Sequence, residues 1–138
     1  MSMTQTLIGG TALVLALNWA VGAILPEPIP IDVISLSYAD GMVTQERTIT
    51  TDQTAFYAQW AATVENADTG DSIRWCEGSG ANAYPPGHRA VTFTLVEWAG
   101  NPRCTPESLP AGRYALRASW RWGEHSTSRK SESFEVVK

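Results

Sequence analysis

No charged residue occurs before Glu27, and within that stretch Leu7 to Leu25 is apolar almost throughout. As a helix, those roughly 19 residues rise about 28 Å, close to the hydrocarbon thickness of a bilayer. Such a segment has two main courses. It stays as a single transmembrane helix, or it acts as a signal peptide and is removed. Length and hydropathy favour the anchor, and Trp19 suits a membrane interface. Val21-Gly22-Ala23 offers a small-residue cleavage pattern before Ile24, whereas residues 1–6 carry none of the Lys or Arg of a usual signal n-region. A helix buried in a soluble core is the remaining alternative.

Charge does not orient the segment, because the first basic residue of the chain is Arg47. Orientation comes instead from the two cysteines, Cys76 and Cys104. An even pair in an exported domain reads as one disulfide. Closing a loop of roughly 29 residues stabilises the fold by about 3 kcal/mol in the chain-entropy account. The expected location is therefore the inner (cytoplasmic) membrane, single-pass, with the C-terminal domain in the periplasm or outside the cell. Secretion after cleavage is the alternative.

About 113 residues follow Leu25, enough for one domain with a modest core. The net charge of -4 argues against general nucleic-acid binding, which needs a basic surface. Acids outnumber bases from Glu27 to Gly80, and bases outnumber acids beyond. That gives two faces of opposite character, solvated or dipolar.

The expected division is a short tail at 1–6, a transmembrane or signal segment at 7–25, a spacer at 26–31 and a domain at 32–138. Pro26, Pro28 and Pro30 cannot continue a helix and favour an extended spacer. After them the period changes to two. Ile34, Leu36 and Tyr38 alternate with serines, and Asp40-Gly41 marks a tight hairpin into a strand from Val43 to Ile49. Phe56, Ala58, Trp60, Ala62 and Val64 alternate next, followed by a turn at 66–71. Ile73 and Trp75 point inward, and a Gly-, Ser-, Asn- and Pro-rich loop covers Gly78 to Gly87. Val91, Phe93 and Leu95 form a further strand. Tyr114, Leu116, Ala118, Trp120 and Trp122 give the clearest alternation, and Phe134 and Val136 close the chain. About seven strands without a soluble helix pattern predict an all-β, antiparallel β-sandwich, with an up-and-down barrel as the alternative.

Leu109-Pro110-Ala111-Gly112-Arg113-Tyr114-Ala115-Leu116 resembles the entry to a late strand of immunoglobulin-like and fibronectin-type-III-like sandwiches. The resemblance implies an Ig-like fold in which Tyr114 is a tyrosine corner, its hydroxyl bonded back to the loop. The spacing departs from the fibronectin pattern by about one residue, and the Cys-Trp-Cys core of antibody domains is absent. Cys76 is expected at a strand end and Cys104 in a loop, so the bridge is expected to be peripheral. The whole layout is similar to small single-span membrane proteins of bacteria and their phages.

Four groups of residues invite a functional reading. Arg113, Arg117 and Arg121 recur every four residues and share the outward face of one strand, with Arg129 and Lys130 nearby. They offer either a basic stripe for an anionic partner or a solvated face. Trp60, Trp75, Trp120 and Trp122 fall on inward positions, whereas Trp98 is expected to be partly exposed as a contact residue. Tyr84 and His88 are the contact residues of the loop from Trp75 to His88. Asn66, Asp68 and Asp71 lie close together without calcium-loop spacing and read as a turn. Neither a catalytic motif nor a metal or cofactor signature is found.

These observations predict a membrane-tethered extracytoplasmic binding module without enzymatic activity. Its expected partners are the membrane and a protein or envelope component. A secreted or virion structural protein, and a phage envelope or lysis accessory protein, are the alternatives.

Overall fold

A computed structural model describes residues 29–138. The expected membrane or signal segment at 7–25, the tail at 1–6 and the start of the proline spacer lie outside the described residues. Among the described residues, no helix is long and apolar enough to cross a membrane.

Among the described residues, eight strands form two antiparallel sheets, a β-sandwich-like arrangement. The first sheet joins β1 (Ile31–Ala39), β2 (Met42–Ile49) and β5 (Gly87–Thr94) in the order β1-β2-β5. The second has the order β4-β3-β6-β7, with β3 at Phe56–Asn66, β4 at Ser72–Tyr84, β6 at Gly112–Trp122 and β7 at His125–Lys130. The short strand β8 (Phe134–Val136) pairs with the start of β6. The strands thus divide between two sheets rather than closing into one barrel.

The local chemistry explains much of this. Asp40 and Gly41 both take positive φ, 54° and 79°, which gives the β1–β2 hairpin a turn matched to strand twist. On β3 and β6 the inward positions meet in register, Trp60 opposite Trp120, Ala62 opposite Ala118 and Val64 opposite Leu116. Small residues beside large ones let this layer interlock with Ile31, Val33, Leu36, Val43 and Ile49 of the facing sheet, all buried in one core. A register shift between Thr63 and Glu65 interrupts the β3–β4 pairing; Val64 stays inward opposite Leu116, and Glu65 is buried on the other face beside Arg117 and Lys130.

Several expectations change. The segment from Gly78 to Tyr84 is not a loop but the second half of β4, paired with β3 residue by residue. Its small residues are steric requirements rather than turn signals. A Cβ on Gly78 would sit 1.6 Å from the Ala99 carbonyl oxygen, and one on Gly80 would meet the Trp60 ring at 3.0 Å. The strand expected through Leu95 ends at Thr94, and a soluble helix, α1 (Leu95–Ala99), follows. Thr94 and Glu97 form a reciprocal capping box, and Gly100 ends the helix in the left-handed conformation at φ 63°. His125–Lys130 adds a strand that the polar sequence does not announce; it is held by pairing with β6 across Gly123.

Cys76 and Cys104 form a disulfide. The bridge is not peripheral: Cys76 lies within β4, and both cysteines are fully buried in the core. Ile73 and Trp75 are half-buried against that core, and the Trp75 indole donates to the Ser108 hydroxyl at 3.0 Å. The Tyr114 hydroxyl donates to the Pro110 carbonyl at 2.6 Å, the bond of a tyrosine corner.

A candidate ligand-binding cleft

Strands β4 and β5 are the outer strands of their sheets on one side of the sandwich, and only Pro85 and Pro86 separate them in the chain. Between these two edges the sheets part into a cleft of about 230 Å³. Its walls are largely aromatic: Trp60 and Trp120 from the second sheet, Tyr84 from β4, Phe93 from β5 and Trp98 from α1.

The alternation of β2 places two polar residues on its inward side. Val43 and Ile49 are core residues, and Gln45 and Arg47 share their face, only 4% and 8% exposed. Arg47 is therefore a buried cation lining an aromatic cleft. Its Cζ lies 4.9 Å from the centre of the Tyr84 ring, a cation–π distance. Among the described residues its Nε has no hydrogen-bond partner, and no carboxylate pairs with it. Its direct neighbours across the sheet are Val33 and Arg89. Burial pushes the guanidinium down from its ordinary pKa; Tyr84 opposes that effect and Arg89 reinforces it. A guanidinium still remains charged at neutral pH.

The rest of the cleft is held by specific bonds. The Tyr84 hydroxyl accepts the Trp120 indole N–H at 3.0 Å, and burial pushes the Tyr84 phenol up. Glu97 also lines the cleft, but its carboxylate is engaged by the Thr94 N–H at 2.8 Å, which fixes α1 and with it Trp98. Gln45 and Asn82 complete the polar groups of the lining.

The residues singled out in the sequence divide between this cleft and elsewhere. Trp98 and Tyr84 both line it, but as walls rather than exposed contacts, being 6% and 3% exposed. The expectation that Trp98 is partly exposed fails because the chain turns into α1 there and folds the indole inward. Tyr84 closes β4 instead of standing in a loop. His88 lies on the other face of β5, exposed, with Nε2 2.7 Å from Glu46 and Nδ1 3.0 Å from Thr48.

Arg113, Arg117 and Arg121 do share the outward face of β6. Each is engaged by a neighbour: Arg113 with Asp68 at 2.7 Å, Arg117 with Glu65 at 2.9 Å, Arg121 with Gln59 at 2.8 Å. Lys130 shares Glu65 at 3.1 Å, and Arg129 donates to the Ile34 carbonyl. The stripe is thus largely engaged by neighbours, whereas the buried arginine without an acid partner among the described residues is Arg47, which sequence reasoning missed. Its signal was present, since Arg47 falls on the apolar phase of a two-residue period.

No protein-family model matches the chain, and no curated protein matches it.

Proposed function

We propose that this protein is a membrane-tethered binding module: an immunoglobulin-like sandwich held on the outer side of the cytoplasmic membrane by residues 7–25. It recognises a ligand or envelope component without catalysing a reaction. The observation that carries this reading is the inter-sheet cleft, where a buried guanidinium faces aromatic walls without an acid partner. Arginine holds its proton across the working pH range, so it suits anion recognition better than proton transfer.

Two features support the rest of the proposal. The Cys76–Cys104 bridge fits an oxidising compartment. The strand arrangement fits an immunoglobulin-like plan in which the first, second and fifth strands share one sheet and the third, sixth and seventh share the other. Relative to the constant-domain pattern, the fourth strand has moved to lie beside the third. The sixth strand opens with the tyrosine corner.

Expression of the full chain in a bacterium tests the placement. The reading expects a membrane fraction that resists alkaline washing, an intact mass near 15.0 kDa, and protease access from the outer side only. A mature mass lacking residues 1–23 replaces the tether by a secreted domain. A reduced protein in the cytoplasm overturns the reading.

A further inference from the structure

We propose that the cleft between β4 and β5 is a binding site for a small ring-bearing carboxylate, with the acid on Arg47 and the ring between the tryptophans. This names a ligand class for the binding module proposed above and rests on that reading.

The charge of Arg47 is the first argument. A buried cation without a carboxylate is costly in a domain of this size, and the usual solution is a paired acid on a neighbouring strand. Here the available acids are used elsewhere. Glu46 faces outward beside His88, Glu65 is held by Arg117 and Lys130, and Glu97 closes its own helix cap. Arg47 instead leans on the Tyr84 face, with a buried Nε–H unmatched among the described residues. A ligand carboxylate matches the planar fork of a guanidinium and supplies the missing acceptor.

The walls are the second argument. Trp60, Trp98 and Trp120 surround the cleft, and flat aromatic surfaces favour a flat or ring-shaped body. A volume of about 230 Å³, at roughly 30 Å³ for each water-sized group, suits one substituted ring rather than a length of polymer. Gln45 and Asn82 offer neutral hydrogen-bonding groups to ring substituents. Two sources share this chemistry, an acidic monosaccharide and an aromatic acid.

The walls also supply the probe. The full chain, labelled with ¹⁵N at tryptophan and held in a neutral detergent, is titrated with glucuronate and with phenylacetate to about 10 mM, the range of weak single-ring ligands. Glucose and phenylacetamide are the uncharged counterparts. The expected result is a saturable shift of the Trp60, Trp98 and Trp120 indole signals with at least one acid and with neither counterpart. Trp75 lies outside the cleft, bound to Ser108, and its indole signal stays fixed. A response to glucuronate alone identifies the sugar source, and one to phenylacetate alone the aromatic source.

Arg47→Met abolishes the shift. Val91→Trp, on the half-buried edge strand lining the cleft, keeps Arg47 and weakens binding at least about tenfold by filling the space. The second variant keeps the proposal falsifiable if the first fails to fold. The proposal is overturned if neither acid shifts these signals, if the uncharged counterparts shift them equally, or if either folded variant binds as before. Binding by the purified chain is read independently of location, and membrane retention is read independently of the cleft, so the two proposals fail separately.

Discussion

Trp120 donates its indole N–H to the Tyr84 hydroxyl at 3.0 Å, joining the centre of one sheet to its outer strand within the wall of the cleft. Both side chains are buried, so neither group has water as a substitute. Tyr84→Phe leaves the indole N–H without its acceptor and is expected to cost about 1–3 kcal/mol. Urea unfolding followed by tryptophan emission measures it. An unchanged midpoint means the bond carries no net stability.

Glu65 joins Arg117 and Lys130 while buried itself. The hydrogen bond from Arg117 holds its carboxyl below the ordinary value of 4.5; burial opposes this and Lys130 adds to the lowering. Because the folded value lies below the unfolded one, the stabilisation is complete above the unfolded pKa and is lost as pH falls through the folded one. Glu65→Gln is expected to lower stability by about 1–2 kcal/mol at neutral pH, since both cations are half-exposed. It also flattens the acid limb of the stability profile below about pH 4.5. An acid limb identical to that of the parent protein contradicts the assignment.

Gly78 lies where β4 passes under the end of α1, and an added Cβ would fall 1.6 Å from the Ala99 carbonyl oxygen. Backbone rather than a flexible side chain is in the way. Gly78→Ala is expected to destabilise by about 2 kcal/mol or more, because the strand and the helix must separate. Ser79→Ala, one residue on and exposed, is the control and stays within about 0.5 kcal/mol. Equal midpoints for the two variants in thermal unfolding contradict this close approach.

The Cys76–Cys104 bridge ties β4 to the segment between α1 and β6, with a sequence separation of 28. Its removal in a Cys76→Ala, Cys104→Ala double variant is expected to cost about 3–4 kcal/mol. Loss of stability by the parent protein on reduction, with no effect of reductant on the double variant, is the expected pattern in denaturant titrations. Equal stability of the oxidised and reduced parent contradicts it.

How much of this was legible in the sequence depends on whether local and tertiary demands agreed. Asp40-Gly41 and the alternation from Tyr114 to Trp122 were readable because turn chemistry and strand period point the same way. Gly78 to Ala83 misled, since the small residues that let Ala99 and Trp60 approach also compose loops. Val91, Phe93 and Leu95 concealed the helix start, although Thr94 and Glu97 spell a capping box within that run. The site was half legible. Tyr84 reads as a loop contact and Trp98 as a partly exposed one, and both are cleft walls. Arg47 does not stand out, because a charged residue on the buried phase of a strand reads as an exception to the pattern rather than its purpose.

The most direct test of the cleft concerns what Arg47 does for the empty fold. A buried guanidinium kept for a ligand contributes little to stability by itself, and a methionine fills its volume without a charge to desolvate. Thermal and urea unfolding of Arg47→Met, without added ligand, are expected to show stability equal to the parent within about 1 kcal/mol, or higher. A loss of about 3 kcal/mol or more contradicts the account and makes Arg47 a structural member of the core.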